Sequence, residues 1–173
     1  MRRIGIIAVL SLIVTALAAV PALAVAPTSV TQTGGLHVCE GSALDVTAHK
    51  TTGPNGSAFL TATGEVCGAG TTATATLSAN AVVTVGCINP GSKDQEPSGL
   101  QTTTTTTAGT QTFNTRAGRG TVNVSTVPIT IPEDFSCPPP MRETLVSVTF
   151  TDVVLTITSQ TGSITATFPN IDP

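Results

Sequence analysis

The sequence has no Trp and no Tyr, and five Phe supply its only aromatic side chains. Sugar-binding platforms stack on exposed Trp and Tyr faces, so a glycan-binding role loses its usual chemistry. Charge is scarce too: 10% of residues are charged, against roughly 25% in ordinary soluble proteins. This argues against a helical surface laced with Lys/Glu pairs. With Lys and Arg outnumbered by Asp and Glu, a nucleic-acid footprint is excluded as well, because it needs clustered basic residues. Only His37 and His49 can act as imidazole bases, and no G-x-S-x-G turn accompanies them. Ten scattered carboxylates single out no glycosidase pair. An enzyme is the less favoured class.

Long apolar runs occur only at the N-terminus. Arg2 and Arg3 precede an apolar stretch from Ile4 to Val20, and Pro21-Ala22-Leu23-Ala24 then supplies small residues. This is the layout of a secretory signal peptide, residues 1–24, with cleavage expected after Ala24. Residues 25–35 are expected to be a flexible N-terminal segment, and 36–173 a single domain. No second hydrophobic segment follows, so no membrane span is expected in the mature protein, which would be secreted or associated with the cell surface.

Four Cys in an exported chain favour two disulfides, and three connectivities are possible. Cys39–Cys67 and Cys87–Cys137 are preferred because each pair brackets a run of strands in chain order. A zinc site is disfavoured: no C-x-x-C occurs, and neither His sits at finger spacing.

Period-two alternation runs along most of the remaining chain. Ala73, Ala75 and Leu77 alternate with Thr; Ala81, Val83, Val85 and Cys87 share a phase; Val146, Val148 and Phe150 form a set, as do Val153, Leu155 and Ile157, and Ile164, Ala166 and Phe168. One apolar face and one Thr-covered face describe half-exposed antiparallel strands. The phase changes near Thr151-Asp152, which predicts a bulge, and again between Val122/Val124 and Val127/Ile129/Ile131, where Pro128 also predicts an edge. Eight or nine short strands predict an all-β, disulfide-stapled antiparallel β-sandwich, immunoglobulin-like in outline though without the Cys-Trp-Cys signature. A partly open β-barrel is the alternative.

Candidate binding residues lie in two loops, Asn89–Leu100 and Pro132–Arg142, which a Cys87–Cys137 bond would bring to one end. That end would present Lys93, Asp94, Glu96, Glu133, Asp134, Phe135 and Arg142, with Phe135 as the one exposed aromatic ring. Solvated loops pinned by a staple are the simpler reading of these charges. Asp94, Glu96, Glu133 and Asp134 are hard-oxygen ligands of the kind Ca²⁺ takes, but no D-x-D-x-D-G loop supports a site, and no metal or other cofactor is expected.

Thr is the abundant residue: 34 positions, including the run Thr102–Thr107. A flat array of methyl and hydroxyl groups can order water, but no fixed repeat occurs along the chain. Thr is therefore read as a strand residue on a solvent face, and the run as an exposed strand or a flexible connection.

The stretch ATATLSANAVVTVGCINPGSKDQEPSG (73–99), followed by Ser136-Cys137-Pro138 and VSVTFTDVVLTITSQTG, resembles small secreted Thr-rich β proteins of high-GC Gram-positive bacteria. The resemblance implies export and a disulfide, and brings no activity or site residue with it. The expectation is a non-enzymatic extracellular protein with an interaction or surface-structure role, its partner an unidentified extracellular or cell-surface protein or glycan. An ion- or ligand-binding module built on the two loops is the second reading, and a hydrolase of unrecognised type the third.

Overall fold

The computed structural model describes residues 23–51, 56–91 and 96–173. Residues 1–22 of the expected leader lie outside the described residues, as do Lys93 and Asp94. Among the described residues eleven strands build two antiparallel sheets packed face to face, and the sheets do not close into a barrel. The sandwich expectation holds and the barrel alternative falls.

One sheet is centred on β5 (Ser57–Cys67). Along one side of β5 run β3 (His37–Val38) and β4 (Asp45–Thr51), with β1 (Ala24–Val25) outside β4. Along the other run β8 (Gly120–Ser125) and β9 (Ile129–Thr130): Val66 pairs with both Val38 and Gly120, which sets β3 and β8 on opposite sides. The second sheet has the order β2 (Ser29–Gly34), β11 (Gly162–Thr167), β10 (Arg142–Ser159), β6 (Thr72–Ile88), β7 (Ser98–Asn114). Three of these strands are long, at 17, 17 and 18 residues, where short ones were expected. Alternation alone cannot show the difference, since a long strand reads as two short ones wherever a bulge resets its phase.

The core follows the predicted alternation. Leu77, Val83 and Val85 of β6, with Phe150, Leu155 and Ile157 of β10, face Val46, Leu60, Val66 and Val122 of the other sheet, all buried. The bulge expected near Asp152 is present: pairing of β10 with β6 shifts between Thr151 and Val154, and Asp152 takes the left-handed conformation at φ 51°. Asn80 Nδ2 donates to the Asp152 carboxylate at 2.9 Å across the bulge. A second shift, between Leu145 and Ser147, was not expected. It buries Leu145 and takes Val146 out of the apolar set, and Lys50 Nζ from the facing sheet donates to the Val146 carbonyl at 2.7 Å.

Residues 25–35 are not a free segment. β2 pairs with β11 over six residues, and β1 reaches Val25. Nothing in their polar composition announces this, because β2 is an edge strand exposed at every residue and needs no apolar face.

Both expected disulfides form, Cys39–Cys67 and Cys87–Cys137. The first closes the β3 end of one sheet. The second ties β6 to the crossing loop that carries the chain from β9 to β10, and so joins the two layers. Closing loops of 28 and 50 residues contributes about 3.5 and 4 kcal/mol in the chain-entropy account. Such bonds belong to an oxidising, extracytoplasmic environment. Among the described residues no helix is long and apolar enough to cross a membrane.

Candidate interaction surface

The loops at the Cys87–Cys137 end are smaller than their sequence suggested. Ser98–Leu100 already belongs to β7, and Arg142 opens β10 opposite Ile88. Glu96, Glu133, Asp134 and Arg142 are exposed. Phe135 is not: it is 6% exposed and belongs to the core cluster. The disulfide two residues on holds this loop against the sandwich, and the turn closed by Phe135 N–H on the Pro132 carbonyl at 3.1 Å directs it inward. The aromatic contact expected of these loops is therefore spent on packing. Among the described residues no group of three His, Cys, Asp or Glu is placed to hold a metal ion. The two His are structural neighbours of the sheet: His37 Nδ1 donates to the Gly35 carbonyl at 2.9 Å, and His49 stacks on Phe59 at 4.6 Å between centroids.

The outer face of the five-stranded sheet shows what the Thr do. Pairing register brings Thr31, Thr165, Thr156, Thr76 and Thr110 into one row across all five strands, and Thr33, Ser163, Thr158, Thr74 and Thr112 into the next. The repeat absent along the chain exists across it. Hydroxyls pair between strands at 3.1 Å for Thr74–Thr112, 3.2 Å for Thr76–Thr110, 2.6 Å for Ser29–Thr167 and 2.8 Å for Thr33–Ser163. In a sheet with only Arg142, Glu143 and Asp152 charged, these pairs take the place of cross-strand ion pairs. Sheet twist of roughly 20–25° per strand turns successive rows out of one plane, which favours a solvated face over a crystal template.

A different surface lies at the β7 edge. From Ala108 to Asn114, β7 is fastened to the facing sheet. Thr107 Oγ1 donates to the Val127 carbonyl at 2.7 Å, Val127 N–H donates to the Ala108 carbonyl at 3.1 Å, and the Gln111 side-chain oxygen accepts from Asn123 N–H at 2.9 Å. Gly109 lies so close that a Cβ there would sit 1.8 Å from the Ser125 carbonyl oxygen. Toward its start the strand parts from the other layer, and every residue from Ser98 to Thr106 is exposed.

The gap left between the layers is an open groove of about 620 Å³. Thr103 and Thr105 form one wall, because their partners Val83 and Ala81 are buried core-facing residues and opposite residues share a face. Val83 lies at its base, and Val127, Ile129 and Ile131 form the other wall. Val127 is 66% exposed, which departs from the apolar set expected to bury it. The cause is that the β8 phase runs one step further than expected: Thr126, not Val127, turns inward and accepts the Leu60 N–H at 3.1 Å.

The same ladder shows where the β7 backbone points. The Ala108 carbonyl reaches Val127 and so faces away from β6. In an antiparallel pair every second residue faces the same way, and the register with β6 is unbroken from Ala108 back to Thr102. Thr102, Thr104 and Thr106 therefore direct their N–H and C=O groups outward. Native edges are commonly guarded by Lys, Pro or an edge-twisting bulge. From Pro97 to Thr115 there is no charged residue, β7 contains no Pro, and its one bulge, an extra residue between Ser98 and Gln101, lies short of Thr102–Thr106.

No protein-family model matches the chain, and no curated protein matches it.

Proposed function

We propose that the chain is exported and works outside the cell by contact, in an interaction or surface-structure role, rather than by catalysis. The observation that carries this reading is the uncovered half of β7: nine consecutive exposed residues, of which Thr102, Thr104 and Thr106 turn backbone groups outward, beside a groove with one Thr wall, one Val/Ile wall and Glu133 on its lining. An edge of this kind recognises extended chain by adding a strand, with main-chain hydrogen bonds supplying affinity and groove contacts supplying selectivity. The two disulfides support residence in an oxidising compartment. The leader-like residues 1–24 support the route there.

The test has two arms. N-terminal sequencing of the natural extracellular protein should begin at Val25. Labelled mature protein added to the cells that make it should be retained at their surface, and T103K/T105K, which places two ammonium groups in the groove, should remove most of that retention. An intact leader on the natural protein, or retention indifferent to these substitutions, rejects the reading.

A further inference from the structure

We infer that the free edge of β7 pairs antiparallel with the same edge of a second copy, about a two-fold axis at Thr104. The inference rests on the reading of β7 as the contact surface and names its occupant.

Three observations select a second copy over a foreign strand. The first is self-complementarity. Thr102–Thr107 is a run of one residue type, so antiparallel pairing about Thr104 sets Thr104 on Thr104 and Thr102 on Thr106. An isologous interface requires this kind of match, because one patch must serve as both halves. The same strand already accepts such neighbours, since Thr84 and Thr102 pair hydroxyl to hydroxyl at 3.1 Å within the sheet.

The second is charge. The chain is acidic, at formal charge −3, so two copies repel over most approaches. β6 and β7 carry no charged residue, so approach along this edge opposes none on the joining strands, and Glu133 on the groove lining is carried by the other layer.

The third is geometry. The outward N–H and C=O groups fall on Thr102, Thr104 and Thr106, the positions a two-fold at Thr104 exchanges among themselves. Thr103 and Thr105 stay bonded to β6 and remain over the groove. Joining the edges makes one ten-stranded sheet with a polar Thr face outside, and brings the two grooves together beneath it, where the Val127 side chains gain cover. The opposite edge, β2, is also uncharged but has only six residues. Pairing β2 with β7 of the next copy would propagate without closing.

Sedimentation velocity and equilibrium on the mature chain, both disulfides intact, test this. The wild type should show a reversible monomer–dimer equilibrium. Amide exchange should slow with rising concentration at Thr102, Thr104 and Thr106, and stay unchanged at Thr103 and Thr105. T104P removes an N–H that β6 does not use, so the fold and its circular dichroism should persist. Each copy loses one hydrogen bond across the axis, so dimerisation should weaken roughly thirtyfold. T104K sets two ammonium groups opposite each other and should also separate the copies, with partial recovery at high salt. A monomer at every concentration overturns the inference. So does a dimer indifferent to both substitutions, or open-ended growth in place of a dimer. Surface retention that still responds to T103K/T105K in a strictly monomeric protein overturns self-pairing alone and leaves the contact reading standing.

Discussion

The two halves of β7 are made of nearly the same residues and live in different surroundings. Ala108–Asn114 is laced to β8 and the segment after it by backbone and side-chain hydrogen bonds, and its Gly109 permits a backbone approach that any side chain would block. Gln101–Thr106 pairs with β6 just as regularly, the ladder shifting only between Gln101 and Ser98, but this half has no second layer over it. Secondary structure is therefore indifferent to the difference, and packing and function are not. A Thr-rich strand can wall a core or line an open surface, because its methyl tolerates burial and its hydroxyl tolerates water. What selects between the outcomes is whether the facing sheet extends that far.

Substitutions along the strand and its anchors should break this comparison in graded steps. The largest effect is expected at the staple beneath the free half. C87A/C137A opens a 50-residue loop and should cost about 4 kcal/mol, read as a lowered denaturant midpoint with the ends of β6 and β7 exchanging first. Next is G109A, whose methyl meets the Ser125 carbonyl. Forcing the layers apart should cost roughly 3 kcal/mol by chemical denaturation and should extend the groove into the closed half. The smallest pair is the sharpest. T107V removes the bond to the Val127 carbonyl and should cost about 1 kcal/mol, whereas T105V, two residues away on the same face, should change stability by less than about 0.5 kcal/mol. Equal losses at the two positions would mean the halves are not energetically distinct.

Much of the fold was legible because a half-buried strand writes its inner face as every second residue. Leu77, Val83, Phe150, Leu155 and Ile164 are buried where alternation put them, and of the three connectivities open to four Cys the one preferred on chain order is the one formed. The bulge at Asp152 was legible because an extra residue must invert the alternation. The one at Val146 was not: Leu145, Val146 and Val148 are all apolar, and either phase fits. Phe135 was misplaced because a loop ring is exposed or buried according to where a disulfide draws it, not according to its neighbours in sequence. β2 was missed because an edge exposed on both faces carries no hydrophobic signal. The candidate surface was the least legible of all, since Thr102–Thr107 reads the same whether covered or open.

Local periodicity determined that this chain forms strands and which face of most of them turns inward, because these follow from side-chain alternation within short stretches of chain. Tertiary structure alone decided the Thr rows across five strands, the inward turn of Phe135 and the parting of the layers along β7, because each depends on register or on the reach of a strand distant in sequence.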